Sequence, residues 1–90
     1  MQPTHDEKQI MEKAEIIERI NNFLVEEFEL DEEQLVPEAR LKEDLDIESL
    51  DFVDIAVIVE REFDFKMKSE DMTHLRLLSE LYDYITANVA

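Results

Sequence analysis

Apolar residues recur every three or four positions from about Ala14 to Phe28, at Ile16, Ile17, Ile20, Phe23, Leu24 and Phe28, while Glu15, Glu18, Arg19 and Glu26 fall between them. This spacing predicts an amphipathic helix with one face toward a core. Residues 1–12 form a polar lead-in that is expected to be frayed or disordered, although Thr4-His5-Asp6-Glu7 matches a capping box that would start the helix earlier. The folded domain is accordingly assigned to residues 13–90.

Between Glu29 and Glu48 the periodicity breaks, Pro37 interrupts, and acids alternate irregularly with Leu30, Leu35, Val36, Leu41, Leu45 and Ile47. A connection of this length in a small domain is either functional or pinned to the core, and the spaced Leu and Ile residues point to pinning.

Ser49 to about Phe63 is rich in β-branched residues and reads locally as either a buried strand or a helix. Length favours the helix. Ser49 suits the N-cap, Asp51 falls in the first turn where the helix dipole favours an anion, and no turn signal interrupts the run. At about 100° per residue, Phe52, Ile55, Ala56, Val59 and Phe63 line one face. Leu50, Val53 and Val57 form a second stripe, edged by Asp54 and Arg61 on one side and Glu60 on the other. Apolar residues framed by charge suggest a docking surface, the competing reading being that Val53 and Val57 contact the long loop.

Asp64 to about Leu75 reads as a loop with one short helical turn, for which Ser69 is a candidate N-cap followed by Glu70 and Asp71. From about Leu77 to Val89, Leu78, Leu81, Tyr82, Ile85 and Val89 return to helical spacing. The predicted fold is all-α: a small bundle of three main helices plus one short one.

Composition narrows the function. Ninety residues suffice for one small core but not for a large internal active-site cavity. Glycine and cysteine are both absent, which removes phosphate-cradling glycine loops, disulfides and thiolate metal sites. Twenty-five acidic against nine basic residues give a net charge of -16, which repels nucleic acid and anionic membranes and makes basic protein surfaces the natural partners. No signal or membrane-spanning run is apparent, so the default expectation is a cytoplasmic protein without membrane insertion.

Enzyme constellations find little support. His5 lies in the lead-in and His74 in a loop beside no obvious nucleophile, and acids are too abundant for any pair to be diagnostic. Asp44-x-Asp46-x-Glu48 begins like a calcium loop, but Ser49 stands where the turn glycine belongs and Ile55 where the closing Glu belongs. No catalytic or metal-binding set is assigned.

Ser49 has three readings: a helix cap only, a phosphorylation site, or a point of covalent cofactor attachment. Capping is the ordinary role of an isolated serine before a helix. Phosphorylation is disfavoured by neighbouring Glu48 and Asp51 and by the lack of a local Arg cluster.

Asp44-Leu45-Asp46-Ile47-Glu48-Ser49-Leu50-Asp51-Phe52-Val53-Asp54-Ile55 resembles the Asp-Leu-Gly-x-Asp-Ser-Leu-Asp-x-Val-Glu-Leu signature of acyl carrier proteins. The similarity extends from about Ala14 to Ile85, through Glu60-Arg61-Glu62-Phe63-Asp64 and Tyr82-Asp83-Tyr84-Ile85. The resemblance implies a carrier that is not itself an enzyme, with 4′-phosphopantetheine transferred from coenzyme A to Ser49 by a phosphopantetheinyl transferase. Acyl groups would ride on its thiol as thioesters in fatty-acid, polyketide or related synthesis. It also implies a monomer visited by acyl-transferring and condensing enzymes with basic docking surfaces. Glu48, Asp51, Asp54 and Glu60 would meet their Arg and Lys residues, and Leu50, Val53 and Val57 would add apolar contact. An aminoacyl or peptidyl carrier and an unmodified acidic interaction module are the alternatives.

Several positions depart from the family pattern. Asp46 replaces the usual Gly, Ile47 a commonly small residue, and Glu48 the usual Asp. Arg61 reverses the sign at a frequently acidic docking position. Phe52 and Ile58 are bulkier than usual and, if directed inward, would reduce space for a sequestered acyl chain.

Overall fold

The computed structural model describes residues 12–89, so the lead-in, with Thr4-His5-Asp6-Glu7, lies outside the described residues. Helix α1 spans Lys13–Phe28, followed by a 3-10 turn at Glu32–Gln34, α2 at Ser49–Phe63, a one-turn α3 at Ser69–Met72 and α4 at Leu78–Val89. Three long helices and one short one match the expected all-α bundle. The 3-10 turn was not anticipated; it is fixed by the Asp31 N–H, which donates to Gln34 Oε1 at 2.8 Å.

In α1 the buried residues are Ile16, Ile20, Phe23 and Leu24, while Ile17 and Phe28 flank them half-buried. Helix α2 buries Phe52, Ile55, Ile58, Val59 and Phe63. Its inward face is therefore rotated from the expected one: Ile58 joins the core, and Ala56 sits half-buried at its edge. Each such aliphatic or aromatic side chain contributes roughly 1.5–3 kcal/mol when fully buried, enough to override the β-branched composition of α2. Helix α3 starts at Ser69 after Lys68 in the cap position, and α4 starts at Leu78, each within one residue of expectation. None of the described helices is long and apolar enough to cross a membrane.

Helix α1 packs against α4, and α2 against α3. Tyr82 donates its hydroxyl proton to Asn21 of α1, and Lys13 Nζ lies 2.6 Å from Asp83 Oδ1 at the exposed edge of the same seam. Tyr84 donates to Asp71, and its ring lies 5.9 Å from that of Phe65. Partial burial, together with that carboxylate, pushes the Tyr84 hydroxyl up to about 12. The donor is thus retained at neutral pH, and α3 stays tied to α4.

The long connection is pinned as predicted, by Leu35, Leu41, Leu45 and Ile47, with Ala39 added. Leu30 is only half-buried, and Val36 is exposed, contrary to expectation, because the turn after the 3-10 helix directs Leu35 inward and its neighbour out. An antiparallel bridge between Arg40 and Leu77 ties the segment to the start of α4. Leu41 N–H donates to the Arg76 carbonyl and Leu78 N–H to the Ala39 carbonyl, each at 2.8 Å.

With glycine absent, three other residues among those described take the left-handed conformation: Glu29 after α1 (φ 55), Asp46 (φ 58) and Asp64 after α2 (φ 54). Asp tolerates this region better than most residues. The geometry at Asp46 accounts for glycine being usual at that position of the motif.

If the connection is held by burial, Ile47→Ala should lose about 2–5 kcal/mol of unfolding free energy in urea titration, whereas exposed Val36→Ala should stay within about 0.5 kcal/mol. A near-neutral Ile47→Ala would refute the pinning.

Candidate functional site

The boundary between the acidic segment and α2 differs by one residue from the sequence-based expectation. Glu48, extended at φ -102 and ψ 173, occupies the N-cap, and Ser49 is the first helical residue. Asp51 Oδ2 accepts the Glu48 N–H at 3.0 Å, the interaction by which a side chain in the first turn reaches back to the cap. As the first helical residue and not the cap, Ser49 has a hydroxyl that forms no hydrogen bond among the described residues and stands exposed. The Ser49 and Leu50 N–H groups belong to the first turn, where no carbonyl of the same helix reaches them.

Ser49 opens onto a groove of about 650 Å³. Phe52 shares its wall with Ser49; Arg40, Lys42 and Glu43 form a second wall, and Thr73, Leu75, Arg76, Leu77 and Glu80 a third. Leu41 is buried where the chain turns after Arg40, and the exposed Arg40 and Lys42 on either side of it line the groove. The bridge to Leu77 brings Arg76 beside them. No Arg cluster accompanies Ser49 locally along the chain; the fold assembles a cationic one from two distant segments.

Two carboxylates fix this wall. Asp44 Oδ2 accepts the Arg40 backbone N–H at 2.8 Å, and its two oxygens lie 3.4 Å from Arg40 Nε and Nη2. The backbone bond first, and the guanidinium second, hold the Asp44 carboxyl below its ordinary value, while Asp44 raises Arg40. Glu80 Oε1 accepts the N–H groups of Arg76 at 2.7 Å and Leu77 at 3.1 Å, which lowers its pKa and caps the start of α4.

The sequence-predicted docking residues lie on or beside the outer side of α2. Leu50, Val53 and Val57 retain 81%, 49% and 56% of their accessible surface, so the loop does not cover them. Glu48, Asp54, Glu60 and Arg61 are exposed around them, while Asp51 is half-buried and one of its oxygens is engaged at the cap. Among the described residues no cluster of three or more ligands is arranged to hold a metal.

An exposed serine hydroxyl without a hydrogen-bond partner and two N–H groups at a helix start, beside a groove that holds Arg40, Lys42 and Arg76 among its lining, fit a covalently attached phosphodiester. Comparison with known proteins agrees with that chemistry. Residues 18–85 match the family described as phosphopantetheine attachment site. An acyl carrier protein of Thermosynechococcus vestitus is 32% identical over 80 residues, covering 89% of this chain and 99% of its own. The chain belongs to the acyl carrier protein family. An acyl carrier protein of Coprothermobacter proteolyticus is likewise 32% identical over 79 residues, covering 88% of this chain and 96% of its own. Membership makes the protein a carrier rather than an enzyme, with 4′-phosphopantetheine as its cofactor.

Against that family pattern, the bulky Phe52 and Ile58 both turn inward and are buried, and Phe52 also lines the groove. The groove cations were missed because they become neighbours only through the Arg40–Leu77 bridge.

Two predictions follow from the geometry at the helix starts. Asp51→Ala should destabilise the protein by about 1 kcal/mol, as loss of a capping interaction does, whereas Ser49→Ala should change stability by less than about 0.5 kcal/mol; the reverse order in urea titrations would restore Ser49 as the cap. Glu80 has a folded pKa below its ordinary 4.5. Its contribution is therefore complete above that value and is lost as pH falls through the lower folded value. Replacing it by Gln should flatten the stability profile below about pH 4.5, and an unchanged acid slope would refute the assignment.

Proposed function

We propose that Ser49 is the attachment point of the 4′-phosphopantetheine arm and that the protein carries acyl groups in fatty-acid, polyketide or related acyl synthesis in the cytoplasm, as a monomer. The observation that carries this reading is the Ser49 hydroxyl itself: exposed, without a hydrogen-bond partner among the described residues, and within residues 18–85, which match the phosphopantetheine attachment family. A serine needed only as a cap would have its oxygen engaged with the first-turn amides.

In the loading step the Ser49 oxygen attacks the pantetheine-side phosphorus of coenzyme A. A new O–P bond forms as the pyrophosphate P–O bond breaks; adenosine 3′,5′-bisphosphate leaves, and the hydroxyl proton passes to a base on the phosphopantetheinyl transferase. The N–H groups of Ser49 and Leu50 and the positive end of α2 then face the resulting negative charge. The attached group supplies the thiol that this cysteine-free chain lacks and holds acyl groups as thioesters.

Partner enzymes with basic surfaces meet the outer side of α2. Glu48, Asp54 and Glu60 steer their approach, with Asp51 contributing the oxygen left free of the cap, and Leu50, Val53 and Val57 give a small apolar contact. Such an interface is transient and salt-sensitive, as required of a carrier visited by several enzymes in turn. Arg61 at its edge disfavours partners whose basic surface extends that far.

Incubation with coenzyme A and a broad-specificity transferase, followed by intact-protein mass spectrometry, tests the assignment. Wild type should gain one phosphopantetheine mass and folded Ser49→Ala none. An adduct on Ser49→Ala, or none on wild type across several transferases, would overturn it.

A further inference from the structure

We propose that Asp46 is a specificity-determining residue of the loading step, its carboxylate meeting a cationic side chain on the transferase that attaches the arm at Ser49. The inference rests on attachment at Ser49. It adds a determinant that precedes the serine and lies outside the docking surface on α2.

The backbone supplies the first support. Leu45 and Ile47 are both buried, and the turn that buries them holds Asp46 between them at φ 58. Glycine takes this conformation without steric cost, and glycine is the residue usual at this position of the motif. The other two left-handed residues differ in kind. Glu29 and Asp64 directly follow the last residues of α1 and α2, where a left-handed residue is a common way for a helix to end. Asp46 ends none of the described α-helices.

The fold gains no contact from the side chain held there. The carboxylates of Asp44, Asp51 and Glu80 each accept a backbone N–H. That of Asp46 is exposed and forms no hydrogen bond or ion pair among the described residues. An acid at a position that suits glycine, with its charge unengaged inside the molecule, is directed at a partner outside it.

Placement identifies the partner. Asp46 lies three residues before Ser49, and the chain between them is fixed: Ile47 is buried with its N–H on the Leu41 carbonyl at 3.0 Å, and Glu48 caps α2. The charge is therefore pre-organised beside the hydroxyl, and little ordering is needed when a partner binds. The transferase is the enzyme whose chemistry takes place at the Ser49 oxygen, whereas enzymes that handle cargo act at the thiol on the far end of the arm. A Lys or Arg beside the transferase's catalytic centre is the complementary group. Carriers with glycine at this position offer that cation no anion, so the contact distinguishes this chain from them.

The test measures loading of the full chain from coenzyme A by the transferase, chosen from a panel, that has the lowest KM for wild type. Asp46→Asn removes the charge and keeps both the shape and the tolerance of the left-handed region. It should raise the KM for the carrier about fivefold at low salt, as loss of one exposed ion pair does, with kcat within about twofold. In high salt the two proteins should converge to within about twofold. Asp46→Gly should behave like Asp46→Asn. Asp46→Glu should load like wild type, since Glu29 already adopts the same conformation in this chain. Native circular dichroism and an undiminished urea midpoint check that each variant is folded. An Asp46→Asn protein that loads like wild type, a loss that persists undiminished in high salt, or an Asp46→Glu protein as poor as Asp46→Asn would overturn this inference alone. Absence of any mass gain on wild type would overturn attachment at Ser49 and this inference with it.

Discussion

The segment between α1 and α2 has no repeating hydrogen-bond ladder, and it keeps its path because Leu35, Ala39, Leu41, Leu45 and Ile47 are buried beneath it. The position of Ser49 depends on that burial. Ile47 lies two residues before the serine, and its N–H donates to the Leu41 carbonyl at 3.0 Å, so the approach to α2 is anchored by the same residues that fill the core. The bridge to Leu77 carries the constraint on to α4, and the groove forms between the two tied segments. Core and site are therefore one construction: the side chains that turn inward determine which neighbours turn outward.

Electrostatics divides the surface that remains. With net charge -16, self-repulsion opposes compactness, and the carboxylates that find local partners do so mainly with backbone N–H groups: Asp51 at Glu48, Asp44 at Arg40, Glu80 at Arg76 and Leu77. Acids thus start helices and close turns in addition to keeping the surface negative. The outer side of α2 is left largely acidic with an apolar centre, while the groove around its N-terminus mixes Arg40, Lys42 and Arg76 with Glu43 and Glu80.

Much of this was legible along the chain. The three long helices followed from apolar spacing, and their ends from caps and breakers, because both signals are local. The exposed stripe at Leu50, Val53 and Val57 could be read from helix phase, since a 15-residue helix in a small bundle cannot bury two sides. The cap was misassigned by one residue because Ser is the better intrinsic cap, and only the geometry reveals that Asp51 serves Glu48. Val36 reads as an anchor by composition, yet turn geometry decides its direction. The groove was invisible for a different reason: Arg40 and Arg76 meet through a pairing of two irregular segments that carry no periodic signal.

The left-handed residues Glu29, Asp46 and Asp64 bear on the unfolded state as well as the folded one. Each non-glycine residue in that region costs on the order of 1 kcal/mol of backbone strain in the native protein. A chain with no glycine, however, also has fewer conformations to surrender on folding, which offsets part of that strain. Strain at three turns is thus set against a stiffer denatured ensemble, and a domain this small and this charged stays folded partly because its unfolded chain has less freedom to gain.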